Sequence, residues 1–214
     1  EREISVIIYS FATINYHSPL FWQRLKEASI NRINDMKPRD FGMVAWGFAK
    51  IGDYDQNLWK SIEMRAIRDF NKLDPINLSI IVFSFAKARK GADSFWGMLE
   101  NSALANLEKM SPRALTHVVW GFTKMKRGKE KFWNSITSLL KKNVSQYNVI
   151  DMVNTLWALH KSKKLPDNVG EIIDQFFSKQ ENIERMYYQD IINLSWVMFN
   201  IKMKNSKIWN NLGH

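Results

Sequence analysis

Four lysines, Lys50, Lys87, Lys124 and Lys161, recur at intervals of 37 residues, each four positions after an aromatic residue: Trp46, Phe83, Trp120 and Trp157. Ammonium groups at a fixed repeat suit one chemistry above others, the pairing of cations with the successive charges of a linear polyanion such as a nucleic acid backbone. The positions six and three residues before each aromatic vary, and several carry groups that can meet a base edge. They are Asp40 and Met43, Asn77 and Ile80, His117, Asp151 and Asn154, then Asp190 and Asn193. A structural role competes for the lysines, because a cation in the last turn of a helix interacts favourably with the helix dipole, worth about 0.3–1 kcal/mol. At this level both readings of the column stay open.

Other site chemistries find no footing in these residues. The histidines, His17, His117, His160 and His214, form no metal-spaced pair such as H-E-x-x-H, and neither a phosphate-cradling glycine loop nor a nucleophile elbow occurs. The chain contains no cysteine, which removes disulfides, thiolate metal sites and cysteine nucleophiles. Carboxylates such as Asp53 and Asp55 have no partner histidine and read as solvated turn residues. The expectation is a protein that is not an enzyme, with no metal, no cofactor and no small-molecule substrate.

The elements that would position the lysines are written in the aromatic periodicity. Tyr9, Trp46, Phe83, Trp120 and Trp157 lie on a 37-residue grid, and Trp196 follows after 39. A second grid, 13 residues behind the first, runs through Trp22, Trp59, Trp96, Trp133 and, after Trp196, Trp209; the two grids take in every tryptophan of the chain. Only the fifth unit breaks the second grid, with Gly170 at the expected place and a lengthening around Leu165 to Asn168. Pro38, Pro75 and Pro112 mark helix starts, with Asp74 and Ser111 as caps. Phe41, Val44, Trp46, Phe48 and Ile51 give the first helix a wide apolar face, and Trp59, Ile62, Ala66, Phe70 and Leu73 do so for the second.

Short polar connections such as Gly52-Asp53-Tyr54-Asp55 join the helices as antiparallel hairpins. One such hairpin cannot bury two aromatic anchors alone, so it must stack on neighbours. The expected fold is all-α, a right-handed α-solenoid of stacked helical hairpins forming one domain over residues 1–214. It has about six helix-turn-helix units anchored at Tyr9, Trp46, Phe83, Trp120, Trp157 and Trp196, with both tryptophan columns in the core and the last second helix running to Leu212. Because the first residue is Glu1 rather than Met, a fragment or processed form of a longer protein is expected.

In such a stack the first helices line one side, and offsets −6, −3, +1 and +4 from each anchor form one helical stripe. The small +1 residues Gly47, Ser84, Gly121 and Ala158 would open space beside the lysines. At one base per helical unit the segment would cover on the order of five nucleotides. The basic pairs Arg89-Lys90, Lys126-Arg127 and Lys163-Lys164 read as solvated loop charge that would extend the lysine column.

The string Trp46-Gly47-Phe48-Ala49-Lys50, its near-copies, and an aspartate or asparagine six residues before the anchor (Asp40, Asn77, Asp151, Asp190) resemble the octotricopeptide and heptatricopeptide repeats of organellar RNA-binding proteins. The period favours the heptatricopeptide form. The chain is also similar to the helical part of FAST-kinase-like mitochondrial proteins, which often end in a RAP domain; no RAP segment is seen. The resemblance covers Ser5 to Trp209 and departs at Thr13, Ala114 and Asn200. It implies sequence- or shape-selective binding of single-stranded RNA or rRNA in a mitochondrion, alternatively a plastid or apicoplast, with roles in transcript stability, processing or organellar ribosomes.

Charge agrees with an anionic partner: 31 Lys plus Arg face 21 Asp plus Glu, a formal charge of +10. No apolar run reaches the roughly 18–20 residues that span a bilayer, so no membrane span is expected. The alternative is a protein-binding scaffold within a ribonucleoprotein, possible because helical solenoids present extended concave faces to ribosomal or other subunits equally well.

Overall fold

A computed structural model describes residues 1–204 and 206–209, which leaves Leu212 outside the described residues. Those residues form twelve α-helices and four short 3₁₀ turns, with no strand among them. The helices are α1 (Arg2–Thr13), α2 (Pro19–Arg32), α3 (Pro38–Ile51), α4 (Gln56–Arg68), α5 (Pro75–Ala88), α6 (Asp93–Asn106), α7 (Pro112–Met125), α8 (Glu130–Lys142), α9 (Val149–Lys161), α10 (Val169–Phe177), α11 (Gln180–Glu184) and α12 (Tyr188–Asn200). No helix is long and apolar enough to cross a membrane.

Local chemistry sets the boundaries. Pro19, Pro38, Pro75 and Pro112 occupy first-turn positions, where a missing N–H costs nothing. Asp74, Ser111 and Asn148 accept from the backbone N–H groups of Asn77, Ala114 and Asp151, satisfying donors that the helix leaves orphaned. At the far ends the backbone turns left-handed at Asn15, Gly52, Arg89, Lys126, Lys163 and Lys202. The next N–H then donates back to a carbonyl five residues earlier, as in Lys90 to Phe85 at 3.0 Å, Arg127 to Phe122 at 2.9 Å and Lys164 to Leu159 at 2.9 Å. This closes the last turn in the manner of a Schellman cap. Glycine adopts that conformation freely, whereas an L side chain is disfavoured there by roughly 1–2 kcal/mol; only Gly52 of the six is glycine.

The chain divides into two compact units, 1–106 and 107–214. In the first, α1, α3 and α5 lie side by side as a row of first helices, while α2 packs on α1, α4 on α3 and α6 on α5. Its core is Ile8, Phe41, Val44, Phe48, Trp59, Ile62, Phe85, Phe95 and Trp96, all at most 1% exposed. In the second, α7, α9 and α12 form the row, and Phe122, Phe132, Met152, Leu156, Leu159 and Phe177 are fully buried. The short α10, with α11 following in place of a 3₁₀ turn, falls where Gly170 interrupts the tryptophan spacing.

The second-column tryptophans fasten every unit but the fifth, where Gly170 stands in their place. Their indole N–H groups donate into the loop just upstream: Trp22 to Tyr16 O at 2.8 Å, Trp59 to Asp53 O at 3.0 Å, Trp96 to Lys90 O at 3.0 Å, Trp133 to Gly128 O at 3.1 Å and Trp209 to Met203 O at 2.6 Å. One residue type therefore fills the space between paired helices and satisfies a loop carbonyl. A buried indole N–H needs such a partner. Gly91 and Gly128, both at positive φ, leave room for it: a Cβ at either would lie 2.8 Å from the Nε1 of Trp96 or Trp133.

Candidate nucleic-acid interface

The first-column aromatics are not core anchors, contrary to the expectation from sequence. Tyr9 is 44% exposed and Trp196 51%, and Trp46, Phe83, Trp120 and Trp157 are half-buried. On each first helix the solvent-facing stripe runs along offsets −7, −3, 0 and +4: Arg39, Met43, Trp46 and Lys50 on α3; Ile76, Ile80, Phe83 and Lys87 on α5; Ile150, Asn154, Trp157 and Lys161 on α9. The physical reason is helical geometry, since residues four apart share a face. On α3, α7 and α9 the exposed lysine at +4 shares that outward face.

Half of the expected base-reading stripe is turned inward. Asp40, Asp151 and Asp190 are 6–8% exposed, and each sits in the first turn of its helix. Asp40 accepts from the Ser5 hydroxyl of the neighbouring first helix at 3.2 Å. Asp151 accepts from the Asn148 amide at 2.7 Å, and Asp190 from the backbone N–H of Tyr187 at 3.0 Å. Asn77, half-buried, donates its amide to Asp74 at 2.8 Å. These groups complete helix starts, where a carboxylate meets the positive end of the dipole. The +1 residues do not open a groove either: Gly47 is buried against α1, and a methyl group there would collide with Ile8. The small side chain permits close helix approach.

Met43, Ile80, His117, Asn154 and Asn193 remain on the solvent-facing stripe, each half-buried. Burial and the adjacent Arg113 charge push the His117 imidazole down to about 4, so it is neutral near pH 7. Burial also raises Asp151 above the ordinary carboxylate range against the opposing pull of Asn148 and Arg113.

Three of the four lysines join the aromatics in one pattern. The Lys50 ammonium lies 5.8 Å from the Trp46 ring centroid and Lys124 6.0 Å from Trp120. Lys161 reaches two rings, 5.5 Å from Trp157 and 5.3 Å from Trp196. These are cation–π distances. In the first unit Tyr9 and Trp46 stack obliquely with centroids 4.7 Å apart, and the Lys87 ammonium is pushed below its usual range, first by burial and then by the Lys50 charge. None of the four makes an ion pair among the described residues. Lysines elsewhere do: Lys26 with Asp53 at 2.9 Å, Lys142 with Glu108 at 3.2 Å and Lys164 with Glu130 at 2.6 Å.

Each unit thus carries a ribbon of three aromatic rings, one per first helix, with Lys50 over Trp46 in the first and with Lys124 and Lys161 over Trp120, Trp157 and Trp196 in the second. Aromatic rings on a solvent-facing stripe can take stacked bases, and ammonium groups without an ion pair can take phosphates. Among the described residues no cluster of three potential metal ligands forms. No protein-family model matches the chain, and no curated protein matches it.

Proposed function

We propose that this protein binds single-stranded RNA along its aromatic–lysine ribbons, on a right-handed solenoid built from the 37-residue hairpins, as a component of organellar RNA metabolism or of a ribosome. The observation that carries the reading is the column of four lysines without an ion pair among the described residues, three of which, Lys50, Lys124 and Lys161, are held over aromatic rings. A stable surface ordinarily neutralises or solvates its cations, and cation–π contact instead keeps these long side chains extended along the ribbon, reducing what must be ordered when a polyanion arrives. Bases stack on Tyr9, Trp46 and Phe83 in one unit and on Trp120, Trp157 and Trp196 in the other. Recognition is then dominated by stacking and phosphate contact, with Met43, Ile80, His117, Asn154 and Asn193 beside the bases as the residues that modulate preference.

Titration of intrinsic tryptophan fluorescence with oligouridylate at several salt concentrations tests this. Wild type should be quenched on binding, and replacing Lys50, Lys87, Lys124 and Lys161 together with Gln should lower the salt slope by roughly 3, at about 0.7 per phosphate on a single strand. An unaltered slope and affinity in that variant overturns the reading. A protein-scaffold role is favoured by one region, the face of α12 where Tyr188, Ile192 and Phe199 are 80%, 43% and 73% exposed. Binding of a protein subunit with no RNA-dependent quenching would select it.

A further inference from the structure

The left-handed residues that end the first helices carry a second, unexplained column of charge. In the unit spanning 107–214 the three such positions are Lys126 (φ 55), Lys163 (φ 57) and Lys202 (φ 61); in the unit spanning 1–106 they are Asn15, Gly52 and Arg89. Gly52 shows that glycine serves the turn without steric conflict, and asparagine is the next best tolerated. A lysine in each of the second unit's three turns is the costlier choice. Compensation of the helix dipole does not account for it in α7 and α9, because Lys124 and Lys161 already place a cation in those last turns. Nor does ion pairing. All three side chains are exposed and none makes an ion pair among the described residues, although Lys164, next to Lys163, finds Glu130 at 2.6 Å.

The hydrogen bonds of the cap need only the backbone, so a lysine kept there at a steric cost that glycine would avoid points to a use for its side chain outside the fold. Resting on the RNA reading above, we propose that Lys126, Lys163 and Lys202 form a backbone-gripping edge specific to the second unit, contacting phosphates two residues further along the chain than the ribbon lysines. The second unit then offers Lys124 with Lys126 and Lys161 with Lys163 as paired cations, and takes the tighter hold on the phosphate chain. The first unit, with Asn15, Gly52 and a single cation, Arg89, at the corresponding turns, relies on stacking and on Lys50 and Lys87.

The triple substitution Lys126→Gly, Lys163→Gly and Lys202→Gly in the full chain separates this role from a structural one, since glycine relieves the backbone while removing the charge. The expected result is a raised Tm, by about 2–4 °C for each kcal/mol of strain relieved, together with weaker oligouridylate binding and a salt slope reduced by about 2. A matching Asn15→Gly and Arg89→Gly variant should alter the slope by less than 1. A raised Tm with unchanged affinity and slope overturns the proposal while leaving the ribbon standing. A lowered Tm also overturns it, by showing that the lysines serve the fold. Absence of RNA binding by wild type removes the ribbon reading itself, and preferential binding of polyglutamate over oligouridylate reassigns the edge to an acidic protein.

Discussion

Trp96 and Trp157 belong to two columns of the same residue type, yet Trp96 is 1% exposed and donates its indole N–H to Lys90 O at 3.0 Å, whereas Trp157 lies half-buried under an ammonium group 5.5 Å away. The neighbours at helical spacing decide the difference. Trp96 is followed at +3 and +7 by Leu99 and Ala103, both fully buried, so its face points into the hairpin. Trp157 is followed at +4 by Lys161 and preceded at −3 by Asn154, so its face points out. A large aromatic serves packing in one column, and in the other it stays available to a partner.

The contrast is broken most forcefully by truncating one member of each column. Trp96→Ala should lose about 3–5 kcal/mol of stability, read as a lower denaturation midpoint in urea, because it empties a close-packed site and orphans a loop carbonyl. Trp157→Ala should cost only about 1 kcal/mol of stability but weaken single-stranded RNA binding by about 1–3 kcal/mol, the contribution of one stacked base. Equal stability losses in the two variants would erase the distinction between columns.

A pH series sharpens the comparison within the ribbon's own stripe. The unfolded His117 titrates near 6.5 and the folded one near 4, so between those values the unfolded state binds the extra proton. Stability is therefore full above pH 6.5 and declines as pH falls toward 4, by about 2–3 kcal/mol at 1.36 kcal/mol per unit. His117→Asn should flatten the unfolding free energy over that window, measured by urea denaturation at each pH. An unchanged profile would mean the imidazole is wet, and that the stripe is more open at α7 than its burial indicates.

Much of this was legible in the residues. Proline at helix starts, the hairpin connections and the break at Gly170 all follow from local chemistry, and α10 is short where the spacing fails. The lysine column was legible too, because charge at a fixed interval survives any packing. The half-exposure of the first-column aromatics does not follow from apolar spacing alone, because these rings lie at the edge of a wide apolar face, where the neighbouring helices rather than the residue type decide burial. The Asp40, Asp151 and Asp190 column lies three residues into each helix, a place that suits N-terminal capping chemistry as well as base reading, and spacing does not choose between the two. The left-handed turns were illegible because their signal is conformational. Arg89, Lys126, Lys163 and Lys202 do not look like turn residues, and only the backbone reveals that they act as such.

The smallest effect tests whether the first unit's cations share one path. Lys87 is held below its usual range by burial first and by the Lys50 charge second, so Lys50→Gln should move the Lys87 ammonium upward without returning it to the ordinary lysine value. Titration of the Lys87 ¹³Cε resonance reads this directly. Ion pairing at the surface would have hidden such a coupling, and the absence of a nearby carboxylate is what exposes it. If Lys87 titrates identically with and without Lys50, the two ammonium groups are screened from each other by solvent. A phosphate chain then could not feel them as one track, and stacking on Tyr9, Trp46 and Phe83 would have to hold the strand in that unit unaided.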